Sequence, residues 1–217
     1  MSAGKRYKFQ GSAIALITAF AGAGLITAIT RANPAVVTQA AHGYLDGDVV
    51  KITGVVGMTE VNGEVFVVNM LTANTYELVG TDSTGYGTWV SGGSVALAAF
   101  SSFCELTGYH RQGGSKPETD ATSVCSTATE YELGLPNFGT TQFDYFFAPQ
   151  TAIQLALAAF ELSGDKLGVK VTLPKSGGIR TLLGFVQQTS EQAAVNGLWK
   201  GALTLRNTGA PYDQAGA

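Results

Sequence analysis

The residues best equipped for chemistry are few: two histidines, His42 and His110, and two cysteines, Cys104 and Cys125. An imidazole or a thiol does chemistry only beside suitable partners. His42 precedes Gly43 in a turn-forming Ala-His-Gly run, which fits a structural turn role. His110 stands next to Arg111 in a polar stretch, as a solvated or interfacial side chain does. A Ser-His-Asp arrangement would have to recruit one of these two, and no Gly-x-Ser-x-Gly elbow accompanies them. Zinc shared by His110, Cys104 and Cys125 would need a fourth ligand and tighter spacing. The cysteines lack Cys-x-x-Cys spacing and are too few for a disulfide framework. A bridge between them requires paired strands that bring the Cα atoms within ~6 Å; buried free thiols are the preferred reading.

Phosphate and cation motifs are equally thin. No Walker sequence occurs, and Gly22-Ala23-Gly24 is followed by Thr27, Ile29 and Thr30, which favour a strand over the helix a dinucleotide fold needs. Asp46 and Asp48 flank Gly47 and supply too few oxygens for a calcium loop. The expectation is therefore a chain that is not an enzyme, with no catalytic, cofactor-binding or metal residues.

Composition points elsewhere. Charged residues are 13% of the 217, about half the usual share, while Gly numbers 28. Such low charge with many β-branched residues excludes disorder and fits a β-rich protein that covers its surface with other subunits. A net charge of -3 and no cationic cluster beyond Lys5, Arg6 and Lys8 argue against a phosphate-gripping surface. Residues 9–30 carry no charge and mimic a signal peptide or membrane helix. Gly11, Gly22 and Gly24 weaken a helix there, and Ile14, Leu16, Thr18 and Phe20 share one face of a strand instead. No other segment approaches the ~20 apolar residues a membrane span requires. That apolar run is also the sole hint of a secreted hydrolase, which two histidines and no nucleophile motif do not support.

Two regions divide the chain. Residues 25–97 break into short runs between turn formers, with strands at Val49–Thr53, Glu64–Asn69, Thr75–Val79 and Ser94–Leu97. Around this segment, residues 1–24 and 98–217 form the core domain, with strands at 13–20, 102–107, 130–133, 141–147, 167–173, 181–188 and 198–206. One helix, about 149–163, is signalled by Pro149 and Thr151 at its start, by Ile153, Ala156, Leu157 and Phe160 on one face, and by Gly164 at its end. The fold class expected is mainly β: a two-sheet β-sandwich or barrel core with one helix, plus an inserted small all-β domain.

The insert carries Asn-Pro-x-Val-Val-Thr, Ala-His-Gly-x-x-x-Gly-Asp-x-Val, Gly-Met-Thr-x-Val-Asn-Gly and Asn-Thr-Tyr-Glu-Leu between Asn33 and Gly93. It resembles a small β module that recurs in phage virion proteins and is sometimes named after a half-domain of ubiquitin-activating enzymes. No cysteine lies in residues 25–97, so that enzyme's thiol chemistry is excluded and decoration is the reading. In the core, the stretch Cys104–Leu162, with Thr-x-x-Cys-Ser-Thr-Ala-x-Glu-Tyr-x-Leu-Gly-Leu-x-Asn-Phe-Gly inside it, resembles the major tail tube protein of long-tailed (siphovirus-type) bacteriophages. Lys170–Pro174 and Leu183–Val186 extend the resemblance.

The resemblance implies a structural virion protein that self-assembles into hexameric rings stacked as a tail tube for genome delivery. Its implied partners are other copies of itself and the tape measure, tail-tip and tail-terminator proteins. DNA passes through the lumen without specific binding, no cofactor or membrane is involved, and assembly in the host cytoplasm precedes residence in the virion tail. The alternative is a host- or surface-binding virion accessory protein, which the insert alone would fit. The polar loop 109–121 stands out: Gly113 and Gly114 give it flexibility, and Arg111, Lys116, Glu118 and Asp120 give it both charge signs. The resemblance makes these four the candidates for contact between rings, against an ordinary solvated loop. The C-terminal NTGAPYDQAGA run is expected to be a mobile arm.

Overall fold

The computed structural model describes residues 6–216. It is mainly β, with fifteen strands and one α-helix among the described residues. We number the strands in chain order: β1 (Ala13–Leu25), β2 (Ala28–Ile29), β3 (Ala35–Thr38), β4 (Val49–Val56), β5 (Val65–Thr72), β6 (Thr75–Leu78), β7 (Ser91–Ser102), β8 (Leu106–Gln112), β9 (Glu118–Asp120), β10 (Tyr131–Leu133), β11 (Thr140–Phe146), β12 (Leu167–Thr172), β13 (Ile179–Gln192), β14 (Lys200–Asn207) and β15 (Tyr212–Gln214). The helix α1 spans Ala152–Ser163.

Thirteen strands share one antiparallel ladder in the order β2-β3-β6-β5-β4-β7-β1-β12-β13-β14-β11-β8, with β15 added beside β13. The two-sheet core is realised within that ladder by a hand-over. The first half of β13, Ile179–Gly184, pairs with β12, whereas Gly184–Gln192 pairs with β14. A strand that leaves one set of partners for another makes the corner between two sheets. Gly184 stands at the change, and a Cβ there would lie 2.7 Å from the carbonyl oxygen of Arg206. The layers also meet at their far ends. β7 and β8 lie in opposite arms of the ladder, yet Phe103–Glu105 alone connects them. So short a link spans at most roughly 14 Å. Phe103 accordingly touches β11 through Tyr145, with ring centroids 5.1 Å apart.

The core between the layers is apolar: Ile14, Leu16 and Ile17 of β1, Leu167 and Val169 of β12, Phe143 of β11, and Leu203 and Leu205 of β14 are all buried. Helix α1 adds Ile153, Leu157 and Phe160 to it. Its limits are locally determined. Thr151 accepts a hydrogen bond from the Gln154 amide at 3.4 Å, and Gly164 takes the left-handed conformation with φ 69°. The Pro149-Gln150 turn precedes the helix, so it starts three residues later than the sequence predicts. Gln154 is buried as well, because its side-chain amide joins the Phe146 carbonyl and the Ala148 amide at 2.9 and 2.8 Å.

Residues 26–95 contribute a second apolar cluster around Tyr76, Ile52, Met58 and Leu78. The two clusters are joined by long strands. β1 and β7 pair from Ala15↔Ser102 to Leu25↔Ser94, and β4 lies beside β7. Val49, Val65 and Val67, from the segment 25–97, belong to the main core. Ion pairs Lys51–Asp165 and Lys170–Asp48, both 3.0 Å, and Lys166–Glu64 cross the same boundary. Tyr212 donates to Asn69 at 3.0 Å, which anchors the C-terminal segment to β5. The arm expected at the C-terminus thus includes an ordered strand, β15, on β13.

Two strand expectations need correction. The run 102–107 is not one strand: β7 ends at Ser102, a turn holds Phe103–Glu105, and β8 begins at Leu106. Residues 109–121 are likewise not one loop, since Tyr109–Gln112 finishes β8 and Glu118–Asp120 is β9. Both errors arise because strand ends are set by distant partners, here β11 and β10.

Candidate self-assembly interface

A projecting hairpin and an open sheet edge supply the surface. β8 closes the ladder and pairs with β11 alone. Its outer amides and carbonyls have no strand beside them among the described residues, which is how an edge becomes a template for another chain. Beyond β8 the chain leaves the core as an arm, residues 113–139. At its base Ser115 and Asn137 form an isolated bridge with reciprocal bonds of 3.0 and 2.8 Å. Farther out β9 pairs with β10 through Tyr131↔Asp120, Glu132↔Thr119 and Leu133↔Glu118.

Every residue of β9 and β10 is exposed. The arm still displays large apolar side chains: Tyr131 is 62%, Leu133 64% and Leu135 87% exposed, and Val124 at the tip is fully so. A second apolar surface lies on the β13–β14 connection, where Val195, Leu198 and Trp199 are exposed and Trp199 leans on Phe147 at 5.9 Å.

The four proposed contact residues separate. Lys116, Glu118 and Asp120 are exposed on the arm. Arg111 instead lies in β8, half-buried, with its Nε enclosed and unpartnered. Asp120 accepts from the Thr122 hydroxyl and amide, which holds its carboxyl below the ordinary range. The two glycines also differ. Gly113 meets open space, whereas a Cβ on Gly114 would lie 2.1 Å from the Asn137 carbonyl oxygen. Gly114 therefore permits the close approach at the arm's base. Sequence reasoning placed a strand at 130–133, where β10 lies, but missed its partner β9, which it read as loop.

The remaining candidates for chemistry have structural positions. His42 Nδ1 accepts from the Tyr44 amide at 3.0 Å, so Nε2 carries the hydrogen donated to the Thr72 carbonyl at 2.8 Å. Its ring packs against Tyr44 and Tyr76, and burial pushes the Tyr76 phenol far up. His110 is exposed on β8. Cys104 and Cys125 are free, as the sequence led us to expect, but both are exposed rather than buried, because one lies in the turn after β7 and the other at the arm's tip. Among the described residues no group of three His, Cys, Asp or Glu side chains is placed to hold a metal ion. No helix among them is long and apolar enough to cross a membrane, and the uncharged N-terminal run forms β1.

Comparison with known proteins gives three findings. The model of the ubiquitin-activating enzyme E1 FCCH domain matches residues 32–98. No curated protein matches the chain. Solved structures similar to it include the tail of an empty gene transfer agent particle with C6 symmetry (TM-score 0.44, 18% identity, 54% of this chain and 87% of that one). They also include the virion of the native gene transfer agent particle (TM-score 0.44, 18% identity, 54% of this chain and 89% of that one).

Proposed function

We propose that this chain is a structural protein of a phage-like tail, and that its copies join into hexameric rings stacked as a tube for genome delivery. The observation that carries the reading is the arm 113–139, whose outer hairpin exposes Tyr131, Leu133 and Leu135, beside the open edge of β8. A monomer gains nothing by keeping Tyr131, Leu133 and Leu135 in water, and exposed apolar patches mark surfaces that meet partners. The resemblance of Cys104–Leu162 to tail tube proteins supports the choice of partner: further copies of the chain. Edge strands such as β8 would join neighbours within a ring, and a heterologous contact of this kind closes into a ring when its rotation permits. Lys116, Glu118 and Asp120, exposed on the arm, would contribute to contacts between rings. DNA would slide through a lumen that is not basic, because each phosphate neutralised by Lys or Arg strengthens retention.

Negative-stain microscopy of the purified chain tests this reading. Rings or tubes of uniform diameter are the expected result. A monomer at high protein concentration, with no tubes after incubation with tail-tip components, would overturn it and favour an accessory role built on the module at residues 32–98.

A further inference from the structure

Two exposed surfaces combine apolar side chains with charges of opposite sign that the fold leaves unpaired. Four of the cations, Lys51, Lys166, Lys170 and Arg180, are consumed by intramolecular ion pairs. Three others gather at one corner. Arg6 and Lys8 flank Tyr7, and the Tyr7 ring sits so close to Gly177 that a Cβ there would lie 2.8 Å from it. Gly177 closes the Pro174 turn, which bears exposed Lys175. Tyr7 and Phe9 remain exposed among these cations.

The arm is the counterpart. Residues directly opposite in an antiparallel pair share a face. The register therefore places Glu118, Asp120, Tyr131 and Leu133 on one side of the β9–β10 hairpin. Two carboxylates thus stand beside two exposed apolar side chains, and neither carboxylate has an ion-pair partner among the described residues. Over the whole arm, Glu118, Asp120, Glu130 and Glu132 outweigh Lys116.

We infer that the Glu118–Asp120–Tyr131–Leu133 face of one copy docks on the Arg6–Lys8–Lys175 corner of another. The inference rests on the self-assembly reading and adds the acceptor to it. Charge complementarity selects the occupant: the arm's acidic face would be repelled by most of an acidic chain, and this corner concentrates unpaired cations beside apolar side chains. The contact is heterologous, since donor and acceptor are different surfaces, so it propagates from copy to copy.

Charge reversal tests it, with sedimentation velocity across a concentration series as the readout. Glu118→Lys with Asp120→Lys on the arm, and Lys8→Glu with Lys175→Glu on the corner, each replace attraction by repulsion. Each double variant should need about tenfold or more protein to assemble, while its monomer melts like the parent. Mixing the two variants in equal amounts should restore assembly, because each reversed arm then meets a reversed corner. Four reversals in one chain should restore it too. Parent-like assembly by either variant alone, or no recovery in the mixture, would overturn the pairing while leaving self-assembly intact. A parent chain that stays monomeric throughout would overturn both.

Discussion

Gly184 is the residue on which the core turns. β13 changes partners there, and its α-carbon faces the Arg206 carbonyl so closely that an added methyl group would lie 2.7 Å from that oxygen. The obstacle is backbone, held by the β13–β14 ladder, and cannot swing aside. Gly184→Ala should destabilise the chain by about 1–3 kcal/mol, as overpacking a tight site does; urea denaturation measures it. Arg180 and Asp213 are the second telling pair. They face each other across β13 and β15 and are joined by two bonds of 2.6 and 2.7 Å. The hydrogen bonds from Arg180 hold the Asp213 carboxyl below its ordinary value. A depressed carboxylate stabilises the fold above its unfolded pKa and loses that contribution as pH falls through the folded one. Acidification below the ordinary carboxylate range should therefore release β15, seen as faster amide exchange at residues 212–214. Asp213→Asn should show that fast exchange at neutral pH already.

At the scale of elements, the arm is a separable piece. Its base is closed by the Ser115–Asn137 bridge, and none of its outer strands contributes a buried side chain. Replacing residues 116–136 by a tight turn should leave the thermal melt nearly unchanged, because little apolar area leaves the interior. The same deletion should abolish long tubes, as electron microscopy would record. Tubes of normal length from this variant would make the arm an ordinary solvated hairpin. Helix α1 offers the contrast: Ile153, Leu157 and Phe160 are embedded in the core, so the corresponding deletion there would cost the fold itself.

For the whole molecule the open question is what residues 25–97 contribute. The antiparallel pairing of β1 with β7 supplies a test. Phe20 and Ala98 face each other in the ladder, so an Asn-Gly turn replacing residues 21–97 would close them as a hairpin. Its cost is visible: Val49, Val65 and Val67 leave the main core, and three ion pairs are lost. The shortened chain should melt at a lower temperature yet still polymerise, if the insert is decoration on the outside of the tube. A folded but monomeric product would place the insert in the subunit interface instead.

What the sequence determined by itself was everything carried by neighbours along the chain. Thr151 and Gly164 bound the helix, period-two runs mark most strands, and the motifs from Asn33 to Gly93 fall within residues 32–98, which the FCCH model matches. Such signals survive in one dimension because caps, turns and alternation act over a few residues. Only the tertiary structure decided the rest. The hand-over at Gly184, the break of 102–107 into two strands, the separation of Arg111 from Lys116, Glu118 and Asp120, and the exposure of both cysteines all depend on partners far away in the chain. The approach of β8 to β7 across the core is of the same kind: adjacent in sequence, they end up in opposite layers, because strand pairing is a contest among distant segments for the same backbone hydrogen bonds.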